Sequence, residues 1–140
     1  MANPGAASTT TNHPSNLATN QAIRLIASAQ SVNLNSVGDT VAQILVAGRV
    51  SVAYVLLSNA STSLTTAAFA VYTLPAAGGT AVLSATTPTG ATTAAKVVNT
   101  AASSTDAITG QYLYIRNTTA QSAAATADIF IYGYDLTFLP

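Results

Sequence analysis

From residue 21 onward the chain is written in apolar stretches of four to ten residues, separated by clusters of Ser, Thr, Asn, Gly and Pro. Stretches of that length, bounded by residues that favour turns, are too short for most helices and suit strands. Eight candidate strands follow, at 22–27 (with room to run on to 34), 40–47, 50–58, 68–74, 80–84, 95–99, 111–116 and 127–136. Alternation is clearest in the third, where Val50, Val52, Tyr54 and Leu56 face one way and Ser51, Ala53, Val55 and Leu57 the other. Both faces are mostly apolar, which predicts a central strand. Glycines at 38, 48, 78 and 79 fall between these stretches, where a positive φ is cheap. Alanine, the best helix former, is interleaved here with Ser and Thr, which compete with a helix, and only 65–68 leaves room for a helical turn.

Eight short strands in one chain predict an all-β fold, a two-sheet antiparallel sandwich whose strand number suits an eight-stranded jelly roll. An immunoglobulin-like sandwich is the alternative. In a jelly roll the last strand, 127–136, lies inside a sheet beside an early strand. With 140 residues the chain has the length of one domain, 21–140. Residues 1–20 are small, polar and broken by Pro4, Gly5 and Pro14, with Leu17 as the one anchor, and read as an extended N-terminal arm. Such an arm fits either simple disorder or ordering against a neighbouring subunit. A weak echo links Tyr54–Asn59 to Tyr112–Asn117, but no period recurs three times, so a solenoid is not expected.

Charged residues make up only 6% of the chain, against about 25% in an ordinary soluble domain. Four cations (Arg24, Arg49, Lys96, Arg116) balance four aspartates (39, 106, 128, 135). Val, Leu, Ile and Phe still number 33, enough for collapse. With no cysteine there is no thiol nucleophile, disulfide framework or cysteine-ligated metal. Four scattered cations are too few to neutralise a phosphate backbone, so nucleic acid is not an expected partner. No run of 18 apolar residues spans a bilayer, and the opening MANPGAASTTTNHPSN has neither the cationic region nor the apolar core of a secretory signal, so no membrane partner is expected.

The residues that carry chemistry are sparse. His13, the one imidazole, stands between Asn12 and Pro14 in the arm, far from any set serine and carboxylate. Asp39 and Asp106 read as turn residues, while Asp128 and Asp135, seven apart on one strand, fall on opposite faces; no acid–base pair emerges. No calcium-loop spacing occurs, and Gly78-Gly79 lacks the continuation of a phosphate loop. Neither cofactor nor metal is expected. Asn59-Ala-Ser and Asn117-Thr-Thr match a glycosylation triplet, but each asparagine reads better as a strand end that bonds a turn backbone. Tyr112 and Tyr114 share one strand face and Tyr132 and Tyr134 another, which fits sheet packing, a protein contact, or stacking on a sugar.

A surface so poor in charge repels little and loses little on desolvation, which suits permanent assembly. The mean hydropathy of +0.41 points the same way. Ser58-Asn-Ala-Ser-Thr-Ser-Leu-Thr-Thr-Ala-Ala-Phe-Ala-Val-Tyr-Thr73, Gly78-Gly-Thr-Ala-Val82, Tyr112-Leu-Tyr114, Thr118-Thr-Ala-Gln121, Ala123-Ala-Ala-Thr-Ala-Asp128 and Tyr132-Gly-Tyr-Asp-Leu136 follow one another over residues 45–136. In that order they resemble the capsid decoration, or cement, proteins of tailed bacteriophages. Phe69 and the loop 84–96 depart from that pattern. The resemblance implies a self-associated β-sandwich, dimer or trimer, on the outer surface of the virion. It would bind the major capsid protein lattice and bridge neighbouring capsomers, without catalysis. The expected contact surfaces are the arm, through Leu17, and the loops 59–66 and 117–126, through Asn59, Ser61, Leu64, Thr66, Asn117, Thr119 and Gln121. The competing expectation is a head or tail module that recognises a host-surface glycan through its tyrosines.

Overall fold

A computed structural model describes residues 22–93 and 97–137. Among these residues nine strands follow one another: β1 (Arg24–Asn33), β2 (Gly38–Gln43), β3 (Arg49–Ser58), β4 (Ala68–Leu74), β5 (Gly78–Thr86), β6 (Val98–Ala101), β7 (Ile108–Thr109), β8 (Tyr112–Thr119) and β9 (Thr126–Asp135). They form two antiparallel sheets packed face to face. One has the order β1-β9-β3-β6, with the two-residue β7 also on β3, and the other the order β2-β8-β4-β5. The chain is therefore an all-β sandwich, as its sequence predicts. The last strand lies inside its sheet between β1 and β3, the placement expected of 127–136.

Apolar side chains alternate inward along β8 and β9, and Leu113, Ile115, Ala127, Ile129 and Ile131 meet Phe69, Val71 and Leu83 from β4 and β5 in a dry core. Each of the larger of these side chains, fully buried, contributes about 1.5–3 kcal/mol.

β3 is central, paired with β9 on one side and with β6 and β7 on the other. Its alternation, however, breaks midway. A register shift between Val52 and Tyr54 inserts Ala53 as an extra residue opposite β9, so Val50, Val52, Val55 and Leu57 all point inward and buried. Tyr54 and Leu56 turn to the outer face, where Tyr54 stacks on Tyr132 at 5.2 Å. The single-face grouping of Val50, Val52, Tyr54 and Leu56 is thus corrected by a β-bulge, which reverses the side-chain phase of everything after it. No glycine in β3 announces the bulge, because the glycine that permits it, Gly133, sits on the partner strand opposite Val52.

Other strand limits moved for local reasons. β1 runs on to Asn33 by absorbing two bulges, with Ser31 at φ 52°. β2 begins at Gly38, so Asp39, read as a turn residue, is a strand residue paired with Arg116. The helical turn at 65–68 does not form; β4 starts at Ala68 after an open loop. The N-terminal arm 1–20, including Leu17 and His13, lies outside the described residues.

Candidate contact surface at the loop end of the sandwich

Crossing between sheets brings four connections to one end of the sandwich: 34–37 after β1, 59–67 after β3, the described part 87–93 of the loop after β5, and 120–125 after β8. None of these segments holds a charged residue. Loops of Ser, Thr, Ala and Asn have little apolar surface to fix them, so hydrogen bonds must do it. The backbone N–H of Leu34 donates to Ala125 O (2.9 Å) and that of Gln121 to Leu34 O (2.7 Å), which joins the first and last loops. Ser61 N–H donates to Thr126 O (2.9 Å), and its hydroxyl accepts from Thr126 N–H (2.9 Å). Leu64 N–H donates to Ala91 O (3.0 Å). The four loops thus form one knitted cap.

Gln121 is its keystone. The side chain is buried, and Oε1 faces the backbone N–H groups of Thr65 (3.3 Å), Thr66 (3.2 Å) and Ala67 (3.0 Å) and the Thr66 hydroxyl (3.1 Å). Its Nε2 donates to Ser63 O (3.3 Å) and Thr65 Oγ1 (3.4 Å). One amide therefore takes up the N–H groups that a helical turn would have left at its start, and this is why 65–68 stays open.

The expected contact residues divide by burial. Asn59, Ser61, Thr66 and Thr119 are exposed on or beside the cap. Leu64, Asn117 and Gln121 are buried, which corrects their assignment to a contact surface. Leu64 packs into the core, and Asn117 Nδ2 donates to Ser36 O (2.7 Å), tying β8 to the first loop while its Oδ1 stays buried without a protein partner. Asn59 does end a strand, at φ 53°, but its Nδ2 donates to Asp128 Oδ2 (3.0 Å) rather than to a turn backbone. Nothing local marks Gln121 for this role beyond its being an isolated amide in a run of small residues.

The described aspartates are spread apart. Asp128 also accepts from Ser31 N–H (2.8 Å), and Asp135 is buried against Arg24 (3.3 Å). Asp39 lies 2.8 Å from Arg116 Nη1 and accepts from Ala76 N–H (2.7 Å). That N–H first, and then Arg116, hold the Asp39 carboxyl below the usual carboxylate range despite some burial. Among the described residues no three His, Cys, Asp or Glu side chains gather as metal ligands would, and no helix is long and apolar enough to cross a membrane.

Tyr132 and Tyr134 lie on the outer face of one sheet, Tyr112 and Tyr114 on that of the other, so the two pairs do not line a common cleft. Two open grooves, one lined by Thr73, Thr80, Val82, Ser104 and 106–109 and one by 43–48 with Gly110 and Gln111, hold no tyrosine. No protein-family model, no curated protein and no solved structure matches this chain.

Proposed function

We propose that this chain is a structural virion protein, a capsid decoration or cement protein that sits on the outer surface of the head. It binds the major capsid protein lattice and bridges neighbouring capsomers, and it has no catalytic role. We read the strand order, β1-β9-β3-β6 against β2-β8-β4-β5, as that of an eight-stranded jelly roll with β7 added. The observation that carries the functional reading is the cap. Four loop segments, uncharged over their described residues, are tied to one another by hydrogen bonds, so the exposed Asn59, Ser61 and Thr66 present a hydrogen-bonded surface with Asp128, held by Asn59, as the carboxylate at its margin. Such a surface loses little ordering entropy on docking, and many identical weak contacts on one lattice add up. Cementing then means that internal pressure must break contacts spanning two lattice subunits before the shell separates. The resemblance of residues 45–136 to cement proteins points the same way.

Cryo-electron microscopy of the particle whose genome encodes the chain tests this. Ordered copies astride capsomer boundaries, cap toward the shell, are the expected result. Copies confined to the tail, or absent from the particle, overturn the reading and bring forward the glycan-binding module.

A further inference from the structure

Backbone contacts join the two sheets along both sides of the sandwich. On one side Ala27 of β1 bridges Ile44, and Leu45 N–H donates to Ile26 O (2.8 Å). On the other, Ser103 N–H, just past β6, donates to Val82 O of β5 (2.8 Å). Edges engaged in this way are poor templates for a further strand, which leaves the outer sheet faces as the broad surfaces for association. The two faces differ. Outside β2-β8-β4-β5, the Asp39–Arg116 ion pair, Gln43 and Thr118 interrupt Val41, Tyr114 and Tyr72, as expected of an antiparallel sheet that turns one face to water. Outside β1-β9-β3-β6, the registers set two unbroken rows, Leu25–Tyr132–Tyr54–Ala101 and Ser28–Phe130–Leu56–Asn99. Neither row holds a charge, and Leu25, Tyr54, Leu56, Phe130 and Tyr132 are each only half-buried.

We propose that this second face is where two copies of the chain pack sheet on sheet, across a twofold axis that runs along the strands between β3 and β9. The occupant is a second copy because the face complements itself under that axis. The rotation lays β3 of one copy over β9 of the other and β1 over β6. Tyr54 then meets Tyr132 of the second copy, Leu56 meets Phe130, Leu25 meets Ala101 and Ser28 meets Asn99. Aromatic falls on aromatic, apolar on apolar, large on small and polar on polar. Tyr54 and Tyr132, stacked at 5.2 Å within one copy, become a cluster of four rings. At the margin Asp128, the β9 partner of Ser58, meets Ser58 of the second copy, so no like charges face each other. Residues 1–21 contain only Met1 and Leu17 as large apolar side chains, too few to cover two rows.

Four strands at about 4.8 Å, and the run from Asp128 to Tyr134 at about 3.4 Å per residue, make the face roughly 20 Å square. Two copies then bury on the order of 1,000 Å², the lower limit for a specific pair, so the dimer is a reversible one. Twisted sheets pack about 10 Å apart and within about 30° of parallel, which keeps the central β3 and β9 columns in contact. The same axis points both caps one way, so one dimer sets two caps side by side on one shell, as bridging neighbouring capsomers requires. The inference rests on the cement reading for that last step and deepens it by naming the face that performs self-association.

The chain has no cysteine, so a single introduced thiol reports the packing. With strands about 4.8 Å and sheets about 10 Å apart, the α-carbons of the two Ser58 residues stand about 11 Å apart across the axis, whereas those of Gln43, outside the other sheet, are separated by about 30 Å or more. A bismaleimide of the shorter reach should link Ser58→Cys into a covalent dimer and leave Gln43→Cys unlinked. In sedimentation the wild-type full-length chain should dimerise at micromolar concentration. Leu56→Lys, which sets an ammonium against Phe130 of the second copy, should weaken the dimer at least about tenfold while circular dichroism shows the fold retained. A monomeric wild type overturns the proposal, as does a dimer that Leu56→Lys leaves intact or that links through Gln43→Cys rather than Ser58→Cys. Particle binding by the wild-type chain is scored separately: its absence sinks the cement reading and leaves the dimer standing, while a monomer that decorates particles does the reverse.

Discussion

The backbone of Ser51 occupies the space where a side chain on Gly133 would begin. A Cβ there would press on the Ser51 carbonyl and stand 2.9 Å from Val52 Cα, and none of these atoms belongs to a side chain that can swing aside. The close approach of β9 to β3 at this point is what lets Ala53 bulge and turns Tyr54 outward. Gly133→Ala should therefore cost at least about 3 kcal/mol or prevent folding, more than an ordinary overpacking change, because the backbone itself must move. Urea denaturation monitored by tyrosine fluorescence measures this. A loss below about 1 kcal/mol would show that the strands separate easily there.

Gln121→Ala removes the acceptor shared by Thr65, Thr66 and Ala67 and leaves their N–H groups facing a cavity. The expected loss is about 1–3 kcal/mol, the cost of one buried and two part-buried donors left without their acceptor plus the lost side-chain volume. Hydrogen exchange should show it locally, with protection at 65–67 falling while the β8–β9 core stays protected. Uniform loss across the chain would mean that the cap and the core unfold together.

Most of the architecture was legible because two-residue periodicity and turn residues act locally. β4 falls on the residues that apolar alternation marks, Ala68–Leu74, and β9 falls within one residue of its expected ends. What escaped depends on residues distant in sequence. The bulge in β3 rests on Gly133, 80 residues after Ala53, and nothing local to β3 encodes it. The open loop at 65–68 rests on Gln121, and the burial of Leu64 and Asn117 on loops that meet only once both sheets are in place.

The turn between β4 and β5 uses unfavourable residues. Ala76 and Ala77 both take positive φ, 55° and 63°, and Gly78 N–H donates to Pro75 O (3.0 Å) across them. That geometry favours Asn-Gly, whereas an L-residue with a Cβ costs about 1 kcal/mol or more at each such position. The double change Ala76→Asn, Ala77→Gly should therefore raise stability by about 1–2 kcal/mol and the melting temperature by several degrees. A neutral or negative effect in thermal unfolding would show that the alanines hold the turn by contacts that the substitution breaks.

Asp39 is the carboxylate that steadies this turn, through the Ala76 N–H, while it pairs with Arg116 on β8. Its folded-state pKa lies below the unfolded value, so the sign of the linkage is fixed. The stabilisation is present above the unfolded pKa, about 4, and is lost as pH falls through the lower folded value. Being exposed, the group contributes no more than about 1 kcal/mol. Denaturation midpoints measured from pH 7 down to pH 2.5 should fall for the wild type below about pH 4, and Asp39→Asn should start lower and fall less steeply. If the two curves run parallel through that range, the Ala76 and Arg116 contacts do not persist in solution.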